Sequence, residues 1–173
     1  MFICSLDEVT NYRSRATHLI SICDPDADEM LPHLGLPKGH RLVVHFHGLD
    51  DPRNAEIGFD GKRLVAPKES HIREALAFAK KLDSTEGLLI HCYQGISRST
   101  ALAFAVLCQS CPRVSEQDVL ARVIELRPEA LPNRLVVKHA DKLLGRKGRM
   151  AAALKRFYEK ELDGYAYLEP AGA

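Results

Sequence analysis

The run "GLLIHCYQGISRSTALAFAVLC", residues 87–108, constrains this chain more than any other stretch. Its opening, "LLIHC", is a short apolar run of the kind that forms a strand buried on both faces. Its closing part, about 99 to 111, is almost wholly apolar and long enough for a central buried helix. Between the two, "YQGIS" leaves five residues to turn the chain. A strand and a helix buried this deeply need other strands beside the first and other helices against the second.

The rest of the chain supplies both. "THLISIC" (17–23) and "RLVVHFH" (41–47) are rich in β-branched residues and read as strands. Pro25, Pro32 and Pro37 make 24–39 a loop, and Pro52, Gly58, Gly61 and Pro67 make 48–67 a second one. From Glu69 onward Ile72, Ala75, Leu76, Ala79 and Leu82 recur at helical spacing. Beyond Pro112 three amphipathic helices are expected. Ser115 with Asp118 opens 116–127; Asn133 caps 134–144, which Gly145 ends; Met150, Leu154, Phe157, Tyr158 and Leu162 line the last.

The expectation is therefore an α/β fold: a small central sheet of about four to five strands flanked by helices, with a helical C-terminal half. At 173 residues, 46% hydrophobic and 27% charged, the chain suits one domain spanning 1–173. Within it, 146–163 reads as a C-terminal amphipathic helix and 164–173 as a tail.

A net charge of +1 offers no bulk attraction to nucleic acid or to a membrane, so neither is expected as a partner. Anion binding must come from a local site. No apolar run reaches membrane-spanning length, and the opening residues lack the pattern of an export signal. With five cysteines, an odd and scattered set, reduced thiols in a cytoplasmic protein are the expectation.

The turn has the parts of an anion cradle. Successive backbone N–H groups of Tyr93, Gln94, Gly95, Ile96 and Ser97 can form a nest, and a helix N-terminus adds unpaired donors and partial positive charge. Gly95 permits a positive φ at mid-loop. Arg98 supplies a planar fork for two phosphate oxygens. The same field lowers a thiol pKa from roughly 8.5 into the range of about 3.5–7.5, so Cys92 is expected as a thiolate able to attack phosphorus. His91 is placed to hold the loop by hydrogen bonds and to assist the thiolate. Ser99 is placed to donate to the sulfur as it leaves.

His91-Cys92-x5-Arg98-Ser99 resembles the signature of the Cys-x5-Arg protein tyrosine phosphatase superfamily, and "GISRST" resembles its dual-specificity branch. "LLIHC" and "RPEALPN" (127–133) are similar to the short single-domain predicted tyrosine phosphatases of bacteria, a resemblance covering most of a core at about 15–150. It implies a phosphatase with no cofactor and no metal, acting in two steps through a phosphocysteine. It also implies a general acid, an aspartate on a mobile loop upstream of the cysteine. Asp50 and Asp51 in "HGLDDP" are the candidates and are not separated; Asp60 is a lesser one. Between Cys92 and Arg98 there is no lysine or arginine, which favours phosphotyrosine or another simple phosphomonoester over an inositol lipid. The partner is thus a phosphorylated protein or a small phosphomonoester; the oligomeric state is left open.

Two rival readings stand beside this one. A phosphate-binding module would keep the cradle and lack a working acid. A metal-dependent hydrolase would use His45 and His47, whose alternate spacing puts them on one face of a strand. The pair "CQSC" (Cys108, Cys111) late in the apolar helix reads as core packing, with a partner thiol for Cys92 as the alternative. Arg146, Lys147, Arg149, Lys155 and Arg156 read as a solvated basic face.

Overall fold

The computed structural model describes residues 1–25, 27, 31–51, 53, 61 and 63–166, with side chains through residue 160. Both β-branched runs form strands, β2 (His18–Cys23) and β3 (Arg41–His45), and the apolar run forms β4 (Leu88–His91). A further strand, β1 (Phe2–Cys4), carries no periodic signal because three residues are too few to show one. The sheet order is β1-β4-β2-β3 and every pairing is parallel. β4 is thus interior, and all four of its residues are buried, as a parallel strand covered on both faces requires.

Side-chain alternation sorts the two faces. Ile20, Ile22, Leu88, Ile90 and Cys92 share one apolar cluster with residues of the helices α1 (Glu69–Lys80), α2 (Arg98–Ser110), α3 (Glu116–Leu126), α4 (Arg134–Leu143) and α5 (Arg149–Ala166). Leu19 and Leu89, of opposite parity, pack instead with Cys4, Val9, Ala16 and Leu34. The second face is therefore covered by the N-terminal segment, with its short 3-10 turn Val9–Tyr12, and by the loop after β2. Each fully buried Leu or Ile contributes about 1.5–3 kcal/mol, so both layers matter to stability.

The helices start where the capping residues place them. Ser115 Oγ accepts from Asp118 N at 3.2 Å, and Asn133 Oδ1 accepts from Val136 N at 2.9 Å. Gly145 ends α4 at a φ of 63°. Asp141 has a cap role of its own: its carboxylate accepts from Gly148 N and Met150 N, 2.6 and 2.7 Å away, and so organises the start of α5.

The basic C-terminal face needs correction at one residue. Arg146 is not solvated: it is buried and donates to Glu116 Oε1 at 3.1 Å and to the Cys108 carbonyl. The requirement to satisfy the last carbonyls of a buried helix draws the guanidinium inward. Arg149 joins it on Glu116 at 2.9 Å, while Lys155 stays exposed.

Candidate active site

The carboxyl ends of parallel strands are where such sheets bind ligands. Here they bring together Cys4, Cys23, His45 and, at the end of β4, Cys92, which opens the turn into α2. Gly95 adopts a φ of 74°, and a Cβ there would lie 2.5 Å from backbone atoms of Cys4 and Ser5. Only glycine allows the turn to sit this close to the end of β1.

The loop carbonyls of Tyr93, Gln94, Ile96 and Ser97 face outward, and each of these has a partner. Tyr93 O accepts from Leu6 N, Ile96 O from Leu131 N, and Ser97 O from Asn133 N, at 3.0, 2.9 and 3.2 Å. Arg127 reaches Gln94 O at 3.5 Å and is itself held by Glu8 at 2.9 Å. Among the described residues no peptide bond is cis. In a trans peptide the next N–H points opposite to the carbonyl, so outward carbonyls turn the amides of 94, 95, 97 and 98 inward. Ser97 begins α2 without a side-chain cap, leaving the helix-end donors open to a ligand.

Cys92 lies at the floor of this nest. Ser99 Oγ is 3.3 Å from its Sγ. Burial pushes the thiol pKa up, but the Ser99 hydroxyl, the Ser99 and Gly95 backbone N–H groups and the Arg98 charge together outweigh it. The net result is a pKa below the ordinary thiol value. His91 contributes no charge. Its Nε2 lies 2.8 Å from Ser21 Oγ on β2, and burial, with the Arg41 and Arg98 charges, pushes its pKa down to about 4, against an opposing hydrogen bond to the Cys92 carbonyl. At neutral pH it is an uncharged tie between two strands.

Arg98 is buried beside the sulfur. Its Nη1 donates to Asp24 Oδ1 at 2.5 Å and to Phe46 O at 2.8 Å. A hollow of about 200 Å³ is lined by Asp24, Gly48, Cys92, Tyr93, Gln94, Ser97 and Arg98. A smaller neighbouring hollow also includes Asp24, Cys92, Tyr93 and Arg98. Asp24 thus lines both, a position that its place in a proline-rich loop does not signal.

Asp50 and Asp51 are held elsewhere. Asp50 Oδ1 accepts from Arg134 N at 2.7 Å, at the start of α4. Asp51 is clasped by Arg53 through its Nε, Nη2 and backbone N–H, and these bonds bring its carboxyl down to about 2. Neither lines the hollows around Cys92. Their loop is still tied to the turn: Asn133, bonded through its N–H to Ser97 O, donates its amide to Gly48 O and Leu49 O, at 3.3 and 3.1 Å. Asp60 lies outside the described residues.

The other candidates fall away from the site. Among the described residues no group of three or more His, Cys, Asp or Glu is placed to hold a metal, and His47 Nδ1 already accepts from Val65 N at 2.8 Å. Cys108 lies nine residues beyond Ser99 on α2, about 14 Å at 1.5 Å per residue, too far to pair with Cys92. Among the described residues no helix is long and apolar enough to cross a membrane.

No protein-family model matches the chain, and no curated protein does. Solved structures do match its shape. The PTP-2 phosphatase of Cydia pomonella is 17% identical with a TM-score of 0.59, covering 81% of this chain and 83% of that one. Human DUSP28 is 21% identical with a TM-score of 0.55, over 81% and 84% of the two chains. The human tyrosine phosphatase-like serine/threonine/tyrosine-interacting protein is 17% identical with a TM-score of 0.57, over 83% and 87%. The parallel sheet, the helical layer and the Cys92 turn at their junction together give this chain the fold of the dual-specificity-like protein tyrosine phosphatase superfamily.

Proposed function

We propose that the chain is a cysteine-dependent phosphatase that hydrolyses phosphotyrosine or another simple phosphomonoester. The observation that carries this reading is a single one. A thiol with a lowered pKa sits beneath inward-turned amides, with Ser99 on its sulfur and a buried arginine beside it. That is the electrostatic environment an attacking thiolate and a phosphoryl dianion both need.

In the first step the Cys92 sulfur attacks phosphorus, an S–P bond forms, and the P–O bond to the alcohol or phenol breaks. Arg98 and the loop amides balance the charge on the equatorial oxygens. The leaving oxygen takes a proton from a general acid. In the second step water attacks phosphorus and the S–P bond breaks. Phosphate departs, the acid regains its proton from the water, and Ser99 stabilises the returning thiolate. None of the five cysteines is in a disulfide, and a reducing, cytoplasmic setting is the one that suits a thiolate nucleophile.

Of the two carboxylates in the 48–51 loop, Asp50 is the better acid. Asp51 is stripped of its proton far below neutral pH by Arg53, whereas Asp50 lies on the segment that Asn133 ties to the turn. Acid function then requires the loop to carry Asp50 from Arg134 to the hollow. In the resting arrangement neither carboxylate lines it, and this favours the phosphate-binding module as the second reading.

Turnover of p-nitrophenyl phosphate tests the assignment. Cys92→Ser abolishes it, a loss of about 10⁴-fold or more, and EDTA has no effect. Retained hydrolysis in Cys92→Ser would sink the mechanism. Tight phosphate binding by the unaltered chain without turnover would favour the binding module. With a poor leaving group, Asp50→Asn slows hydrolysis by about 10²-fold, well beyond the effect of Asp51→Asn.

A further inference from the structure

We infer that Asp24 is a positioning residue that fixes the Arg98 guanidinium before phosphate arrives, so that its Nε–Nη2 edge is the fork presented to the ligand. The inference rests on the phosphatase reading above and names a residue that the Cys-x5-Arg turn does not contain.

Nη1 carries two hydrogens, and each has an acceptor: Asp24 Oδ1 at 2.5 Å and the Phe46 carbonyl at 2.8 Å. Both acceptors come from outside the turn, one just after β2 and the other just after β3. The two strands are fixed to each other here, because Phe46 N donates to Cys23 O at 3.0 Å. The clamp is therefore built on the sheet rather than on a free loop. It leaves Nε–H and Nη2–H as the parallel pair that a phosphate can take side by side.

The burial pattern supports the same role. The Arg98 side chain is only 10% exposed, whereas the Asp24 carboxylate is 46% exposed at the mouth of the hollow. A long, flexible side chain is thus held in one rotamer from the solvent side, and its ordering cost is met on folding rather than in the transition state. Gly48 completes the seat: a Cβ there would make ordinary contact with Nε at 3.7 Å, so the backbone flanks the guanidinium without closing over it. Asp24 also brings negative charge toward an incoming dianion. Charge therefore opposes binding here while geometry favours it, and the two are separable by substitution.

Inorganic phosphate binding to the full chain, measured by titration calorimetry in a Cys92→Ser background, isolates the effect. Asp24→Ala is expected to weaken phosphate binding by about tenfold and to lower kcat/KM by about 10- to 100-fold in the chain with Cys92 intact. Asp24→Asn keeps an oxygen acceptor for Nη1, so it recovers most of both losses. In an Arg98→Ala background Asp24→Ala produces no further loss, which a general effect on folding would not reproduce. Three results would overturn the inference: unchanged phosphate affinity in Asp24→Ala, an equal loss without Arg98, or Asp24→Asn as impaired as Asp24→Ala. Hydrolysis surviving in Cys92→Ser would defeat the phosphatase reading alone, since the phosphate titrations still decide what Asp24 does to Arg98.

Discussion

The two ends of α2 carry the same pair of residue types in opposite circumstances. At its start Cys92 and Ser99 meet beside Arg98; near its end Cys108 lies beneath Arg146. Both thiols and both guanidinium groups are buried. Yet the Cys92 pKa lies below the ordinary thiol value, while burial raises Cys108 to about 12. Polarity of the helix accounts for the contrast. At the N-terminus unpaired N–H groups and a partial positive charge reach the sulfur; at the C-terminus the backbone offers carbonyls, and Arg146 is consumed in satisfying them.

The arginines diverge for the same reason. Arg98 faces a hollow and pairs with a half-exposed carboxylate. Arg146 pairs with Glu116 at 3.1 Å, and each side chain is only 8% exposed. One end of the helix opens on a hollow and the other closes on a buried ion pair.

Alkylation should expose the largest difference. Iodoacetamide at neutral pH is expected to modify Cys92 and inactivate the protein at least about 10³-fold faster than it modifies Cys108. The Cys92 rate rises with pH along a thiolate curve whose midpoint falls below the ordinary value of about 8.5. Mass spectrometry of the modified peptides settles it; comparable labelling of Cys108 in the folded chain would break the contrast.

Paired arginine substitutions come next. Arg98→Lys loses the planar fork and lowers kcat/KM by about 10²-fold, with little change in Tm. Arg146→Ala leaves Glu116 to Arg149 alone and takes the donor from the Cys108 carbonyl, costing about 2 kcal/mol and lowering Tm by roughly 4–8 °C. Its activity per folded molecule, measured well below the transition, stays near that of the unaltered chain.

The last effect concerns His91, the uncharged tie beneath the active end. Its folded pKa of about 4 lies below the unfolded value of 6.5, so the unfolded chain binds the extra proton first as pH falls. The stability it contributes is full above about 6.5 and is lost as pH falls toward 4, a change on the order of 3 kcal/mol. Urea unfolding across this window should show the slope, and His91→Asn should flatten it. An unchanged slope would mean that other groups govern the acid limb.

Local signals made much of this molecule legible. The strand at 88–91, the turn, the buried α2 and the capped starts of α3 and α4 all follow from patterns a few residues long. The nest is legible too, because a glycine between a strand and a helix restricts the backbone to few paths. β1 was not, since a three-residue strand exists only through its pairing with β4. Nor was the inward turn of Arg146, which depends on where α2 ends in space.

What the sequence by itself determined is the chemistry concentrated in one turn: a thiol, a hydroxyl and a guanidinium joined by short covalent spacing. What only the tertiary structure decided is which distant carboxylates meet that turn. Asp24, Asp50 and Asp51 lie 74, 48 and 47 residues before Arg98, by subtraction of their positions (98 − 24, 98 − 50 and 98 − 51). Over such separations spacing says nothing about distance. Parallel strand order set Asp24 against Arg98, while a helix N-terminus and Arg53 took the other two.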